Sequence, residues 1–198
     1  MEITWLGGSA LLLKGREAKV LLAPEPGFGA SVPGGAEVVV GALAPENQLR
    51  VENGPQVVAR PGEYELRGVT VRGVATGART LFVAQVDEVA VLDLADFKGT
   101  LDPDTLDVLG SLDVLAISVD GGAPGRAAEV AQLVAQLQPA VLLPVGFLGG
   151  GGEETPAGLE PLVKEMGLGQ LGAQPRLNLS GSGGTSDETR VVVLEARS

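Results

Sequence analysis

The chain has 198 residues, is 44% hydrophobic with 30 Gly and 13 Pro, and contains neither His nor Cys. Those two zeros exclude a Ser-His-Asp triad, a thiol nucleophile, a disulfide framework and any His- or Cys-ligated zinc. Fourteen Lys and Arg against 25 Asp and Glu leave a net charge of −11, a field that repels nucleic-acid backbones and anionic membranes.

Short β-branched runs separated by turn residues dominate the sequence. Strands are predicted over Glu2–Leu6, Ala10–Lys14, Ala18–Leu22 and Glu37–Gly41, divided by Gly-Gly, Lys-Gly-Arg and a Pro/Gly-rich loop. A second set follows at Gln56–Ala59, Tyr64–Leu66, Val69–Val74, Thr80–Val86 and Val89–Leu94. Leu66-Arg67-Gly68-Val69 and Val86-Asp87-Glu88-Val89 read as tight hairpin turns. Asp102 before Pro103, with Gly110 as a stop, frames a helix reaching Leu109. Asp102, Asp104, Asp107 and the nearby Asp96 form an acidic run. Capping by Asp102, and the macrodipole favouring Asp104 in the first turn, account for it without a cation.

Asp113–Val119 and Ala140–Val145 are continuous apolar runs, the mark of strands buried on both faces. Between them, Arg126–Leu137 places Val130, Leu133, Val134 and Leu137 on one helical face, completing a β-α-β unit. The glycines of Gly121–Gly125 precede this helix. Neither GxGxxG nor a P-loop motif is present and Pro124 interrupts the stretch, so a loop at the sheet edge is expected. Gly149–Gly152 reads as a loop, Gly158–Met166 as a helix, and Arg176–Leu179 and Arg190–Glu195 as late strands flanking a polar loop. The whole is an α+β or α/β domain of about a dozen strands, two sheets face to face with helices outside. One domain over 1–198 is expected, since no linker divides the chain. There is no basic, apolar leader and no membrane-length apolar run, so a cytoplasmic location is expected.

Several phrases together resemble the metallo-β-lactamase superfamily, nearest its small bacterial metal-dependent-hydrolase branch. Ile3-Thr4-Trp5-Leu6-Gly7-Gly8-Ser9 is similar to that branch's start, where Trp-Leu-Gly-His-Ser is usual. The run Val38–Asn47 falls where the family carries a strand followed by Ser-His-Asp-His-Pro-Asp-His. Pro61-Gly62-Glu63-Tyr64-Glu65-Leu66-Arg67-Gly68 closely resembles a phrase of the branch. Ala90–Leu94 matches a strand ending in Gly-Asp-Leu, and Leu142–Phe147 a strand ending in Pro-hydrophobic-His. The resemblance covers nearly the whole chain and implies a four-layer αββα sandwich of two mixed sheets with outer helices.

It also implies a metal centre, and residue by residue that centre is gone. The His-x-His positions are Ala42 and Ala44, and the Asp-His positions are Glu46 and Asn47. Asp93 matches the bridging Asp. The remaining His positions are Gly8, Gly146 and a place near Gly77. The Asp that precedes Pro after the third strand is Ala23. Zinc needs three or four ligands, and Ala and Gly side chains supply none. Zinc is therefore not expected, and with it goes the acidified water of metal hydrolysis.

The expected function is that of a catalytically inactive relative, an interaction or structural module that self-associates or binds a protein partner, with no nucleic acid and no membrane. The first alternative is an ester or phosphodiester hydrolase using Mg²⁺ or Mn²⁺ bound weakly at Glu46 and Asp93, with Glu25 near them. The second is a small-ligand carrier using the vacated cleft. Ser9 lacks a base, and Lys14, five residues on, points to the opposite strand face, so Ser9 is structural. Trp5 and Tyr64 are read as packing residues and Phe147 as filling the cleft.

Overall fold

The computed structural model describes residues 1–23, 33–41, 54–77, 79–95, 97–147, 155–181 and 188–197. Its first sheet is built from β1 (Glu2–Gly7), β2 (Ala10–Lys14), β3 (Lys19–Leu22), β4 (Val38–Val40), β5 (Gln56–Val58) and β13 (Leu177–Asn178). They lie in the order β13-β1-β2-β3-β4-β5. The second sheet takes β6 (Gly62–Leu66), β7 (Val69–Thr76), β8 (Arg79–Val86), β9 (Val89–Ala95), β10 (Val114–Ser118), β11 (Val141–Val145) and β14 (Arg190–Val191). Its order is β14-β11-β10-β9-β8-β7-β6. Both sheets are mixed: β3, β4 and β5 run parallel in the first, and β9, β10, β11 and β14 in the second.

Alternation along the strands puts one face of each sheet into a shared core. Ile3, Trp5, Leu11, Leu13, Val20, Leu22, Val38 and Val40 enter it from the first sheet, and Val69, Val71, Val89 and Val91 from the second. The strands β10 and β11 are buried at every residue. Their second face is covered by the crossover helix α2 (Arg126–Leu137), as a parallel pair requires. Two more helices, α1 (Pro103–Leu109) and α3 (Glu160–Glu165), belong to this half of the chain. Outside the first sheet, Ala10, Leu12, Leu21, Ala36 and Val39 form a smaller buried cluster. The Pro33–Gly35 turn closes over part of it, with Gly34 so near Leu12 that a Cβ there would lie 2.4 Å from its methyl.

The two hairpins fall where expected. Arg67 and Gly68 join β6 to β7 with φ of 51° and 70°, and Asp87 and Glu88 join β8 to β9 with φ of 49° and 67°. Two consecutive left-handed residues make the tight turn whose twist matches antiparallel strands. Asp87 tolerates that conformation and also accepts from the Arg16 backbone N–H.

Asp102 caps α1, accepting from the Thr105 N–H at 2.9 Å and the Thr105 hydroxyl at 2.8 Å. Those two bonds hold its carboxyl below the usual carboxylate range.

The expected late strand Arg190–Glu195 is corrected. It divides into β14 and β15 (Val193–Leu194), and β15 pairs in parallel with β12 (Ala173–Gln174), a strand the pattern did not indicate. The Val192 N–H still bonds Leu142 O, whereas the Glu195 N–H bonds Gln174 O. The chain therefore leaves the edge of the second sheet within two residues. The expected helix Gly158–Met166 is shorter, starting at Glu160.

Candidate functional site

Strand directions bring Gly8, Gly77, Asp93 and Gly146 to one end of the sandwich. β1 and β3 both run antiparallel to β2, so β1 is parallel to β3, and β7 is likewise parallel to β9. Gly8 therefore follows the C-terminal end of β1, Gly77 that of β7, and Gly146 that of β11, while Asp93 lies near the C-terminal end of β9. In open α/β sheets such carboxyl ends are where ligands bind. Ala42, Ala44, Glu46 and Asn47, with Glu25, Asp96 and Gly149–Gly152, lie outside the described residues.

Of the described positions, Gly8 and Gly146 meet directly. The Gly146 N–H donates to Gly8 O at 3.1 Å, a main-chain bond linking the end of β11 to the β1–β2 turn. The same Gly8 oxygen accepts from the Trp5 indole Nε1–H at 3.0 Å. Trp5 stacks at a tilt on Phe147, with ring centroids 4.5 Å apart and planes 39° apart. Both rings are buried. Offset and tilted geometries of this kind are the favoured ones for aromatic pairs. Asp93 is half-buried on β9, opposite Phe82 on one side and Ala116 on the other, beside a register shift.

Next to this junction lies a polar group absent from the sequence reading. Ser118 ends β10, and its hydroxyl donates to Asp120 Oδ1 at 3.0 Å and accepts the Asp120 N–H at 3.1 Å. Asp120 itself is left-handed, at φ 49°. Its other oxygen pairs with Lys98 Nζ at 3.1 Å and lies 3.9 Å from Arg126 Nε. Arg126, in the first turn of α2, is 3% exposed. Its Nε donates to Ser118 O and its Nη1 to Phe97 O, both at 2.7 Å, and Nη1 also reaches Glu129 at 3.0 Å. One guanidinium thus ties the ends of β9 and β10 to the helix covering them. The sequence cue was available in retrospect: a Ser closing an otherwise apolar strand, followed by Asp-Gly-Gly.

Burial pushes the Asp120 carboxyl up, but the Lys98 and Ser118 hydrogen bonds and the charges of Lys98 and Arg126 outweigh it and hold it below the usual carboxylate range. A carboxylate whose pKa is lowered by folding stabilises the fold above its unfolded value, and that contribution is lost as pH falls through the folded one. Stability is therefore expected to drop below about pH 4. Thermal unfolding between pH 5 and pH 3 should show Asp120→Asn closing its gap to wild type as pH falls. A constant gap would deny Asp120 that role.

Two cavities lined by described residues lie elsewhere. One of about 330 Å³ is bounded by Lys14, Gly15, Arg16, Asp87 and Asn178, and one of about 430 Å³ by Glu2, Thr4, Arg176, Glu195 and Arg197. Neither touches Gly8, Gly77, Asp93 or Gly146.

Two mixed sheets with few helices, and a candidate site at the carboxyl ends of their strands, define a metallo-β-lactamase fold. Solved structures agree. A metallo-β-lactamase superfamily protein from Thermotoga maritima matches with a TM-score of 0.74 at 23% identity, over 98% of this chain and 99% of its own. The metallo-β-lactamase fold protein YhfI from Bacillus subtilis matches at 0.62 and 11% identity, over 98% and 97%. Igni18, a metallo hydrolase from the archaeon Ignicoccus hospitalis, matches at 0.59 and 13% identity, over 90% and 99%. Residues 2–146 match the family model of the β-lactamase superfamily domain, and the chain belongs to that family. Among curated proteins, none matches the sequence significantly.

The fold family implies a metal, and the described residues of the candidate site do not fit one. Gly8, Ala42, Ala44, Gly77 and Gly146 carry no donor atom on their side chains. Among the described residues no group of three His, Cys, Asp or Glu side chains could hold an ion.

Proposed function

We propose that this chain is a non-catalytic member of its superfamily, a module for protein interaction or assembly whose ancestral centre holds no zinc. One observation carries the reading: Gly8 and Gly146, two former metal-site positions of the family pattern that meet through the Gly146 N–H to Gly8 O bond at 3.1 Å, have no side chain with which to hold an ion. A His would coordinate through its ring nitrogen, and glycine offers no side chain in its place. Substitution at Ala42, Ala44 and Asn47 supports the same conclusion, since those positions also lack an imidazole.

The proposed role is self-association or capture of a protein partner in a bacterial cytoplasm, by one domain spanning the chain. The net charge of −11 favours partners that are not polyanionic. Among the described residues no helix is long and apolar enough to cross a membrane.

Elemental analysis of protein purified with added zinc is the direct test, and far less than one zinc per chain is expected. Tight, stoichiometric zinc lost on Asp93→Ala would overturn the reading. Ester or phosphodiester turnover that needs Mg²⁺ or Mn²⁺ and vanishes in Asp93→Ala would replace it with the carboxylate-hydrolase alternative. Light scattering on the eluting protein tests the assembly, with a dimer or larger species expected and a strict monomer removing the self-association part.

A further inference from the structure

The glycines at the vacated positions are not equivalent. Gly8, Gly77 and Gly146 all have left-handed backbones, at φ of 53°, 57° and 68°. That conformation is strained for residues bearing a Cβ, though His, Asn and Asp tolerate it better than most. Space separates them. A Cβ on Gly77 would meet nothing within 4 Å, whereas one on Gly146 would lie 2.4 Å from Ser118 Oγ and 3.3 Å from Ser118 Cβ. Non-bonded atoms do not approach so closely, so one of the two must move.

Ser118 is poorly placed to give way. Its hydroxyl is fixed at both ends by Asp120, as donor to Oδ1 at 3.0 Å and acceptor from the backbone N–H at 3.1 Å. Asp120 is fixed in turn by Lys98 at 3.1 Å. The Ser118 backbone is held by the Arg126 guanidinium at 2.7 Å. Turning the hydroxyl aside breaks two hydrogen bonds, and shifting the strand disturbs a buried cation.

We propose that Ser118 is a plug: its anchored hydroxyl occupies the volume into which a side chain at position 146 would project, so that the former metal centre is closed at Gly146 rather than merely emptied. The inference rests on the non-catalytic reading above and extends it to how the centre was lost. A His returned to position 146 alone cannot take up a ligand's place, because Ser118 must change first. A small ligand likewise finds no entry between Gly8 and Gly146 without breaking the main-chain bond that joins the sheets there. Contacts with partners then fall to surfaces outside this junction.

A set of stability measurements on the full chain tests the plug, run in chelator so that the result is independent of any metal. Gly77→Ala and Gly146→Ala both pay for the left-handed backbone, and only Gly146→Ala meets Ser118. Gly77→Ala is expected to lower Tm by about 2–4 °C, the shift that about 1 kcal/mol produces in a chain of this size, and Gly146→Ala by at least twice as much. In a Ser118→Gly background, which removes both Oγ and Cβ, the cost of Gly146→Ala should fall to that of Gly77→Ala. Repeating the comparison with Gly146→His should give a larger penalty and the same relief. Equal costs at 77 and 146, or a Gly146→Ala cost unchanged by Ser118→Gly, would overturn the plug. Zinc in the wild-type protein, measured separately, would instead count against the non-catalytic reading.

Discussion

Arg126→Ala is expected to destabilise the protein by about 3–5 kcal/mol, the usual cost of removing one partner from a buried charged network. The guanidinium is 3% exposed and bridges two main-chain oxygens, Ser118 O at the end of β10 and Phe97 O just beyond β9. Truncation leaves both oxygens without this donor inside the fold, costing about 1–3 kcal/mol for a buried unsatisfied group. It also opens a cavity under the first turn of α2 and leaves Asp120 and Glu129 short of a counter-charge. Arg126→Met keeps most of the apolar stem and should recover part of the loss, through packing alone. Arg126→Lys offers one ammonium in place of a planar fork and should fall between them, because it cannot reach both oxygens in the same geometry. Equilibrium denaturation with an unchanged m-value is the measurement. A cost under about 1 kcal/mol for Arg126→Ala would show that the network is incidental. The cost is not the net worth of the residue. Nη2 is buried and finds no hydrogen-bond partner among the described residues, so Arg126 carries a desolvation penalty in the native state.

The same residue shows how far the sequence could be read. The periodicity of Arg126–Leu137 placed Val130, Leu133, Val134 and Leu137 on one buried face, and all four are buried. Position 126 falls on that stripe, four residues before Val130, but its charge reads as solvent exposure. Nothing local says that two strand-end carbonyls converge beneath the first turn and can satisfy a guanidinium. That information is tertiary, and so is the fate of Ser118 and Asp120.

Elements defined by local chemistry were legible. β2 spans Ala10–Lys14 as read, the two tight turns sit at Arg67-Gly68 and Asp87-Glu88, and Asp102 caps α1. Each rests on a period of two, a left-handed turn pair or a capping side chain. β12 was not legible, because two residues have no period, and its pairing with β15 depends on the chain crossing from one sheet to another. At the candidate site, the resemblance to the family pattern gave an expectation of which side chains are missing, and the fold assignment stands. A missing side chain carries no information about what replaces it. The Gly146–Gly8 bond and the Ser118 hydroxyl are visible only once β10, β11 and β1 are brought to a common end.

Trp5→Ala is expected to cost about 3–5 kcal/mol, the range for truncating a large buried aromatic. Trp5 is 2% exposed, and three separate features meet on it. Its ring packs on Phe147, a pair worth about 0.5–1.5 kcal/mol beyond area burial. Its indole N–H donates to Gly8 O, and its own carbonyl accepts the Arg197 N–H at 2.9 Å. The last bond is main-chain and survives substitution; the first two do not. Trp5→Phe separates them, since it retains a ring against Phe147 but removes the donor to Gly8 O. Its cost should be about 1–2 kcal/mol, reflecting one hydrogen bond and a smaller ring. Gly8 O would then keep the Gly146 N–H as its donor from the strand ends, so faster amide exchange at Gly146 in Trp5→Phe than global stability explains would show the two bonds to be mutually supporting. A double-mutant cycle of Trp5→Phe with Phe147→Leu isolates the ring contact from the hydrogen bond. Trp5 is the one tryptophan of the chain, so its fluorescence follows unfolding in wild type, and circular dichroism serves for the variants that lack it. Loss of under about 1 kcal/mol in Trp5→Ala would mean that the end of β1 relaxes freely, and the junction at Gly8 would then be too loose to exclude a ligand.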